Sequence, residues 1–314
     1  MKIYTDIKDV HNIKNPIVTT GMFDGIHLGH QKIITRLKDI AREQNGETVL
    51  FTFAPHPRIV LFPDDTGLEM INTEPEKIQL LERFGIDHLI IYPFTREFSR
   101  LTSIEFVRDI LVNKIKTKWL IIGYNHHFGR NREGTFEQLR EYGPVYGFKV
   151  EEIAAKGIDS IEISSTKIRV ALKAGNVKIA NGFLGHAYSL TGKVEKGLQL
   201  GRTLGYPTAN INVADKYKLI PADGIYAVQV KYKNELYGGM LSIGNNPTVE
   251  GKGRSIEVHI FDFDKTIYGD DLTIFFIDRL RDEMKFVTMN DLKKQMQSDK
   301  ENALRIIENS TLSV

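Results

Sequence analysis

Two histidines, His27 and His30, close the run Gly21-Met22-Phe23-Asp24-Gly25-Ile26-His27-Leu28-Gly29-His30. Imidazole, neutral or protonated, donates hydrogen bonds to oxygens that gain charge in phosphoryl or nucleotidyl transfer. Glycines let a backbone approach a phosphate closely, and a helix starting here offers unpaired N–H groups and a partial positive charge. Two surface histidines at a helix start, or a metal pair, are the competing readings, although no carboxylate sits at a supporting position. Further along, Ser164, Ser165 and Thr166 stand at a second helix start, with Arg169 one turn on. Hydroxyls and a fixed guanidinium so arranged are compatible with a polyphosphate, but taken alone the element reads as a well-capped helix. Thr208 and Asn210 alternate along an extended segment and project oxygens from one face, a hard donor set suited to Mg²⁺. Glu257 lies on a later strand, where a carboxylate can take a proton from an attacking hydroxyl.

These side chains need elements to aim them. Residues 17–20 form a β-branched run; after it Ile33, Ile34, Leu37, Ile40 and Ala41 recur at helical spacing. Residues 48–53, 88–92, 119–122 and 148–153 are further strands. Thr73-Glu74-Pro75-Glu76 reads as a capping box opening a helix that Gly85 ends, and Thr102-Ser103-Ile104-Glu105 caps another. Strands separated by helices imply βαβ crossovers and a parallel, doubly wound, Rossmann-like sheet over roughly residues 1–182. The texture then changes. Runs at 206–213, 225–232, 237–243, 256–263 and 272–277 follow one another without helices, with Lys233-Asn234 as a hairpin turn. That spacing predicts an antiparallel barrel, closed by a helix over 290–307 whose stripe is Leu292, Met296, Ala303, Ile306 and Ile307. The expected architecture is α/β plus β, divided as 1–182 and 183–314.

Composition narrows the chemistry. Among 314 residues, 42 Lys and Arg oppose 40 Asp and Glu, a formal charge of +2, which argues against nucleic acid or a membrane surface as partner. With no cysteine, thiolate nucleophiles and Cys-held metals are excluded. The opening residues lack the apolar core of a signal peptide, so a cytoplasmic location is expected. A homo-oligomer is neither required nor excluded.

The first motif resembles the Gly-x-Phe-Asp-Gly-x-His-x-Gly-His signature of the nucleotidylyltransferase superfamily, in the form found in bacterial bifunctional riboflavin kinase/FAD synthetases. Phe53-Ala54-Pro55-His56-Pro57 resembles that family's Phe-x-Pro-His-Pro segment, and Ile163-Ser164-Ser165-Thr166-Lys167-Ile168-Arg169 its Ile-Ser-Ser-Thr-x-Ile-Arg element. The resemblance implies that Gly21, Phe23, Asp24, His27, Gly29 and His30 grip an ATP triphosphate together with Ser164, Ser165, Thr166 and Arg169. One segment departs from the family: Gly123-Tyr124-Asn125-His126-His127-Phe128-Gly129 stands for Gly-x-Asp-Phe-x-Phe-Gly, so Asn125 replaces a carboxylate and is kept as a nucleotide contact. His126 and His127 read as loop residues, since adjacent side chains diverge.

In the second half, Gly201-Arg202-Thr203-Leu204-Gly205-Tyr206-Pro207-Thr208-Ala209-Asn210 resembles the riboflavin kinase signature, as do 221–227, 244–248, 255–260 and 280–286. That likeness implies an ATP site at Gly201, Arg202, Gly205, Pro207, Thr208 and Asn210, with Mg²⁺ on Thr208 and Asn210. It also implies that Glu257 is the base acting on the terminal ribityl hydroxyl of riboflavin. Flavin candidates are Pro55, His56, Pro57, Phe128, Tyr124 and Arg281. Two ATP-dependent steps are expected, riboflavin to FMN and FMN to FAD, with flavins as substrates and products.

Overall fold

Strands with no polar face are buried from both sides by crossover helices. Ile17–Thr20 (β2) is buried throughout, and Thr48–Ala54 (β3), His88–Pro93 (β4) and Trp119–Gly123 (β5) are buried along most of their length. A computed structural model describes residues 1–64, 67–124, 126–154, 157–158, 161–197, 201, 204–245 and 254–312. They divide into two compact units, Met1–Leu68 with Glu74–Ile163, and Glu69–Thr73 with Ser164–Val314.

In the first unit Lys2–Tyr4 (β1) joins these strands at one edge and Lys149–Ile153 (β6) at the other, in the order β1-β4-β3-β2-β5-β6. Every neighbouring pair is parallel. The chain runs outward from β2 through β3 to β4, then returns to place β5 on the other flank of β2. The end of β2 is therefore the topological switch point, where an open sheet leaves a crevice. Leu28–Glu43 (α1) leaves that point and buries the predicted stripe of Ile33, Ile34, Leu37, Ile40 and Ala41. Pro57–Leu61 (α2) and Glu74–Arg83 (α3) follow, with Gly85 at φ 78° beyond α3. The Thr102–Glu105 capping box opens Ser103–Glu105 (α4), which runs directly into a π-helical stretch, Phe106–Val112. Phe136–Tyr146 (α5) and the short ribbon Gly157–Ile158 (β7) and Ile161–Glu162 (β8) complete the unit.

The second unit is a closed barrel in the order β10-β13-β12-β11-β14-β9. Its strands are Tyr188–Glu195 (β9), Ala209–Asn212 (β10), Gly224–Tyr232 (β11), Glu235–Asn245 (β12), Arg254–Ile260 (β13) and Asp271–Arg281 (β14), all paired antiparallel. Lys233 and Asn234 make the predicted two-residue hairpin turn, with Lys233 at φ 54°. Ser165–Lys173 (α6) and Val177–Leu184 (α7) share the barrel's core cluster. Asn181 joins α7 to two strands: its amide donates to Phe276 O at 2.8 Å and its oxygen accepts from Tyr188 N at 2.7 Å. The last helix, Met289–Glu308 (α8), packs Met296, Ala303, Ile306 and Ile307 on the barrel with Tyr206, Met240 and Phe261. Residues 69–73 also belong here: Met70 N donates to Tyr217 O at 2.6 Å, and the Lys218 ammonium donates to Ile71 O and Ser189 O at 2.7 Å each.

Candidate active sites

The loop after β2 turns sharply before α1. Phe23 and Ile26 occupy the left-handed region at φ 48° and 39°, beside Gly25 at 84°. Non-glycine residues hold that conformation only where their surroundings enforce it, a strain that gathers at functional sites. Here the enforcement is packing: Phe23 and Ile26 are buried, and the Phe23 ring lies 4.6 Å from the His30 ring. His27 caps α1, its Nδ1 accepting from the His30 amide at 3.4 Å. In the neutral ring this places the proton on Nε2. The two imidazoles stack with centroids 3.8 Å apart and planes 16° from parallel. A side chain at Gly29 would meet the His27 ring at 3.1 Å, so glycine is what lets the first histidine fold back onto the second.

Stacked at van der Waals distance, the pair cannot comfortably hold two positive charges. Burial pushes His27 down to about 4, against the opposing pull of Asp24. His30 falls well below the usual range, by burial first and then by the proximity of His27 and Lys77. Both imidazoles are neutral at pH 7. The His30 Nδ1 is buried with no hydrogen-bond partner among the described residues. A buried polar atom of this kind is an opening for a ligand group.

His126, read from sequence as a loop residue, is tied to the same point. Its Nε2 is 2.9 Å from the Thr20 hydroxyl at the end of β2, and its ring stacks on Phe128 at 5.9 Å. Burial lowers its pKa to about 4. Phe128 is itself buried and meets Phe106 at 5.9 Å. Tyr124 is exposed. Asn125 lies outside the described residues. At the end of β3, Ala54-Pro55 is a cis peptide and His56 caps α2, its Nδ1 accepting from Arg58 N at 3.1 Å.

Ser164, Ser165, Thr166 and Arg169 fall in the second unit. Ser164 caps α6 by accepting from Lys167 N at 3.4 Å, as the helix-start reading expects. Arg169 Nε donates to Glu69 O at 2.7 Å, and Lys173 forms an ion pair with the Glu69 carboxylate.

The barrel brings three expected residues together. The register pairs Asn210 with Glu257, and the Thr208 hydroxyl donates to Glu257 Oε2 at 3.0 Å. Val258 and Ile260 face the core while Glu257 is half-buried, as strand alternation requires. Gly201 bends back beneath this segment: its carbonyl accepts from Tyr206 N at 2.8 Å and from Leu204 N at 3.1 Å. Pro207 O is 2.8 Å from His259 Nδ1, and since a carbonyl only accepts, that nitrogen carries the proton. A Cβ at Gly197 would collide with the Asn210 side-chain amide, so Gly197 is the seat of that side chain. Gly205 is left-handed at φ 85°. Arg202 lies outside the described residues. Arg281 turns its edge to α8: Nε and Nη2 donate to the Asp299 carboxylate, the shortest at 2.7 Å, and its plane stands 5.9 Å from Phe286.

The oxygens of Thr208 and Asn210 suit a hard cation, since the Thr208 proton points at Glu257 and leaves its lone pairs outward. Among the described residues no three His, Asp or Glu side chains converge.

Sequence reasoning missed three contributors, Lys77, His259 and Asp299. His259 and Asp299 act through neighbours, on Pro207 and Arg281. Lys77 is buried, and its ammonium donates to Met22 O at 3.1 Å in the loop before α1. Its sequence signal is a cation in the first helical turn, where the helix dipole disfavours one.

The chain matches the FAD synthetase family over residues 9–167 and the riboflavin kinase family over 184–307. Bifunctional riboflavin kinase/FMN adenylyltransferases from Buchnera aphidicola and Escherichia coli K12 are 35% and 33% identical to it, each match covering 93% of this chain and 95% of the relative. The Listeria monocytogenes protein of the same description is 36% identical over 92% of this chain and 91% of its own. A solved Streptococcus pneumoniae structure, described as a macrolide-efflux protein, superposes with a TM-score of 0.89 at 34% identity, over 98% of this chain and 99% of that one. Both halves of the fold and these likenesses over nearly the whole length agree: the chain belongs to the bifunctional riboflavin kinase/FMN adenylyltransferase family.

Proposed function

We propose that the family's two activities divide between the two sites, with the functional boundary near residues 182–183. In the barrel, Glu257 takes the proton from the terminal ribityl hydroxyl of riboflavin as that oxygen attacks the γ-phosphorus of ATP, giving FMN and ADP. The observation that carries this assignment is the 3.0 Å bond from Thr208 to Glu257, which fixes the carboxylate beside the Thr208 and Asn210 oxygens. Those oxygens would hold Mg²⁺ when it arrives with ATP, and the ion supplies charge neutralisation on the phosphates. Gly201, Arg202, Gly205 and Pro207 are assigned to the same nucleotide, and Arg281 to the flavin.

At the switch point, the FMN phosphate attacks the α-phosphorus of a second ATP, releasing pyrophosphate. His27 donates from Nε2, and His30 and the α1 amides line the same turn with Gly21, Phe23, Asp24 and Gly29. By motif alone, Asn125, Ser164, Ser165, Thr166 and Arg169 are assigned to ATP in this step, and Pro55, His56, Pro57 and Phe128 to the flavin. Positioning and hydrogen bonds to charged oxygens carry both steps, with no covalent enzyme intermediate. The composition continues to favour small-molecule partners over nucleic acid or membrane, and a cytoplasmic setting. Efflux, named for the S. pneumoniae protein, has no support in this geometry, and no helix of the described residues is long and apolar enough to cross a membrane.

Incubating the full chain with riboflavin, Mg²⁺ and ATP and separating the flavins by chromatography tests the assignment. FMN should appear first and FAD after it. FMN without FAD would remove the adenylylation site, and no FMN would remove the kinase site.

A further inference from the structure

Neutral histidines bring no net charge to a triphosphate, so some other group must. Lys77, the fourth residue of α3, stands where the helix dipole disfavours a cation, and it is only 7% exposed. Burial lowers its pKa, while Asp24 from the loop and Glu74 from its own helix oppose that fall. From α1, His30 feels the ammonium as a repelling charge. Among the described residues its one hydrogen bond goes to Met22 O at 3.1 Å, a carbonyl that also accepts from Thr52 Oγ1 at 3.5 Å. Bracing one carbonyl could be done by a neutral amide without desolvating an ion. The charge itself is therefore the feature to explain.

We propose that Lys77 is a positioning residue for FMN adenylylation: its buried ammonium fixes the 21–24 turn through the Met22 carbonyl and adds a standing positive charge to the one that Arg169 is assigned to bring. Buried against the loop that leads into α1, that charge lies in a poorly screened setting where it attracts the ATP phosphates more strongly than a surface lysine would. The inference rests on the assignment of His27 and His30 to adenylylation.

Three substitutions separate charge from bracing. Lys77→Met removes both, Lys77→Gln keeps a donor for Met22 O, and Lys77→Arg keeps the charge. FAD formation from supplied FMN and Mg-ATP is followed in the full chain, with riboflavin phosphorylation as internal control. Lys77→Gln and Lys77→Met should raise the ATP KM at least tenfold with kcat within about threefold, as expected for a binding charge. Lys77→Arg should stay within threefold of the unaltered KM, and all three should phosphorylate riboflavin within twofold of normal. If Lys77→Met fails to fold, the Arg and Gln variants decide alone. A Lys77→Gln enzyme with an unchanged ATP KM, or equal losses in Gln and Arg, overturns the proposal. His30→Ala in the same assay locates any failure. Full FAD formation there would take down the site assignment and this inference together, whereas its loss beside normal Lys77 variants would take down this inference alone.

Discussion

On the assignment proposed above, the two sites handle the same nucleotide with opposite materials. At the switch point the side chains are neutral imidazoles, His27 buried and His30 half-buried, stacked at the start of a helix. On the barrel the central group is a half-buried carboxylate, held by a threonine hydroxyl on antiparallel strands. The difference follows from the two nucleophiles. A phosphate monoester is already largely ionised at neutral pH, its second pKa being about 6, and attacks without a base. A ribityl hydroxyl must lose a proton as it attacks, so a carboxylate has to be within reach. The contrast teaches that a phosphoryl acceptor's protonation state can be read from whether its site holds a base.

The strongest way to break this contrast is Glu257→Gln. The amide oxygen can still accept from Thr208, so the local geometry survives while the base is lost. Riboflavin phosphorylation should fall by roughly a thousandfold, within the range of a lost general base. FAD formation from supplied FMN should stay within twofold. Retained kinase turnover, measured by FMN release, would show that the hydroxyl is not deprotonated by this residue.

His30→Ala should give the mirror image. Removing one hydrogen-bonding group from a charge-stabilising site costs about 10²- to 10³-fold in rate. Adenylylation should drop by that factor while the kinase continues unchanged. Equal damage to both activities in a folded variant would mean that the two sites are not separate.

Periodicity made the scaffold legible, and local context hid several of the parts that matter. The α1 stripe and the Lys233-Asn234 turn were readable because each follows from spacing or turn chemistry alone. β1 was invisible: three residues at a sheet edge carry no pattern until β4 pairs with them. β9 is absent from the predicted runs: Gly192 interrupts its pattern, although it lies inside the strand, where a Cβ would meet Ile211 at 2.5 Å. The run at 206–213 shortens to Ala209–Asn212, because Tyr206 is buried before the strand begins and bonds Gln297 on α8. Lys77 carries no signal of burial in its own segment, where it follows Glu74 and Glu76. Its burial depends on a loop more than fifty residues earlier, which no local window contains. The same holds for Arg281, whose partner Asp299 comes from the closing helix.

The smallest effect expected is one of pH, and it sharpens the contrast most directly. A histidine held near 4 when folded and near 6.5 when unfolded binds fewer protons in the folded state between those values. Its favourable contribution is therefore complete above pH 6.5 and is lost progressively as pH falls toward 4. At pH 5 the loss is about 2 kcal/mol for such a histidine. His27 and His126 both meet this description, and both lie in the first unit. Denaturant unfolding followed at Trp119, which belongs to that unit, should shift to lower midpoints between pH 7 and pH 5. His126→Phe, which keeps a ring against Phe128, should flatten part of that slope. Catalysis gives the complementary sign. If neutral imidazoles are the working donors, FAD formation at saturating FMN should hold within twofold from pH 6.5 to 8. Were the histidines working as cations, the rate would fall steadily across that interval as their protons left. A declining profile would thus reverse the protonation assigned to His27 and His30, and with it the idea that the positive charge of this site comes from elsewhere.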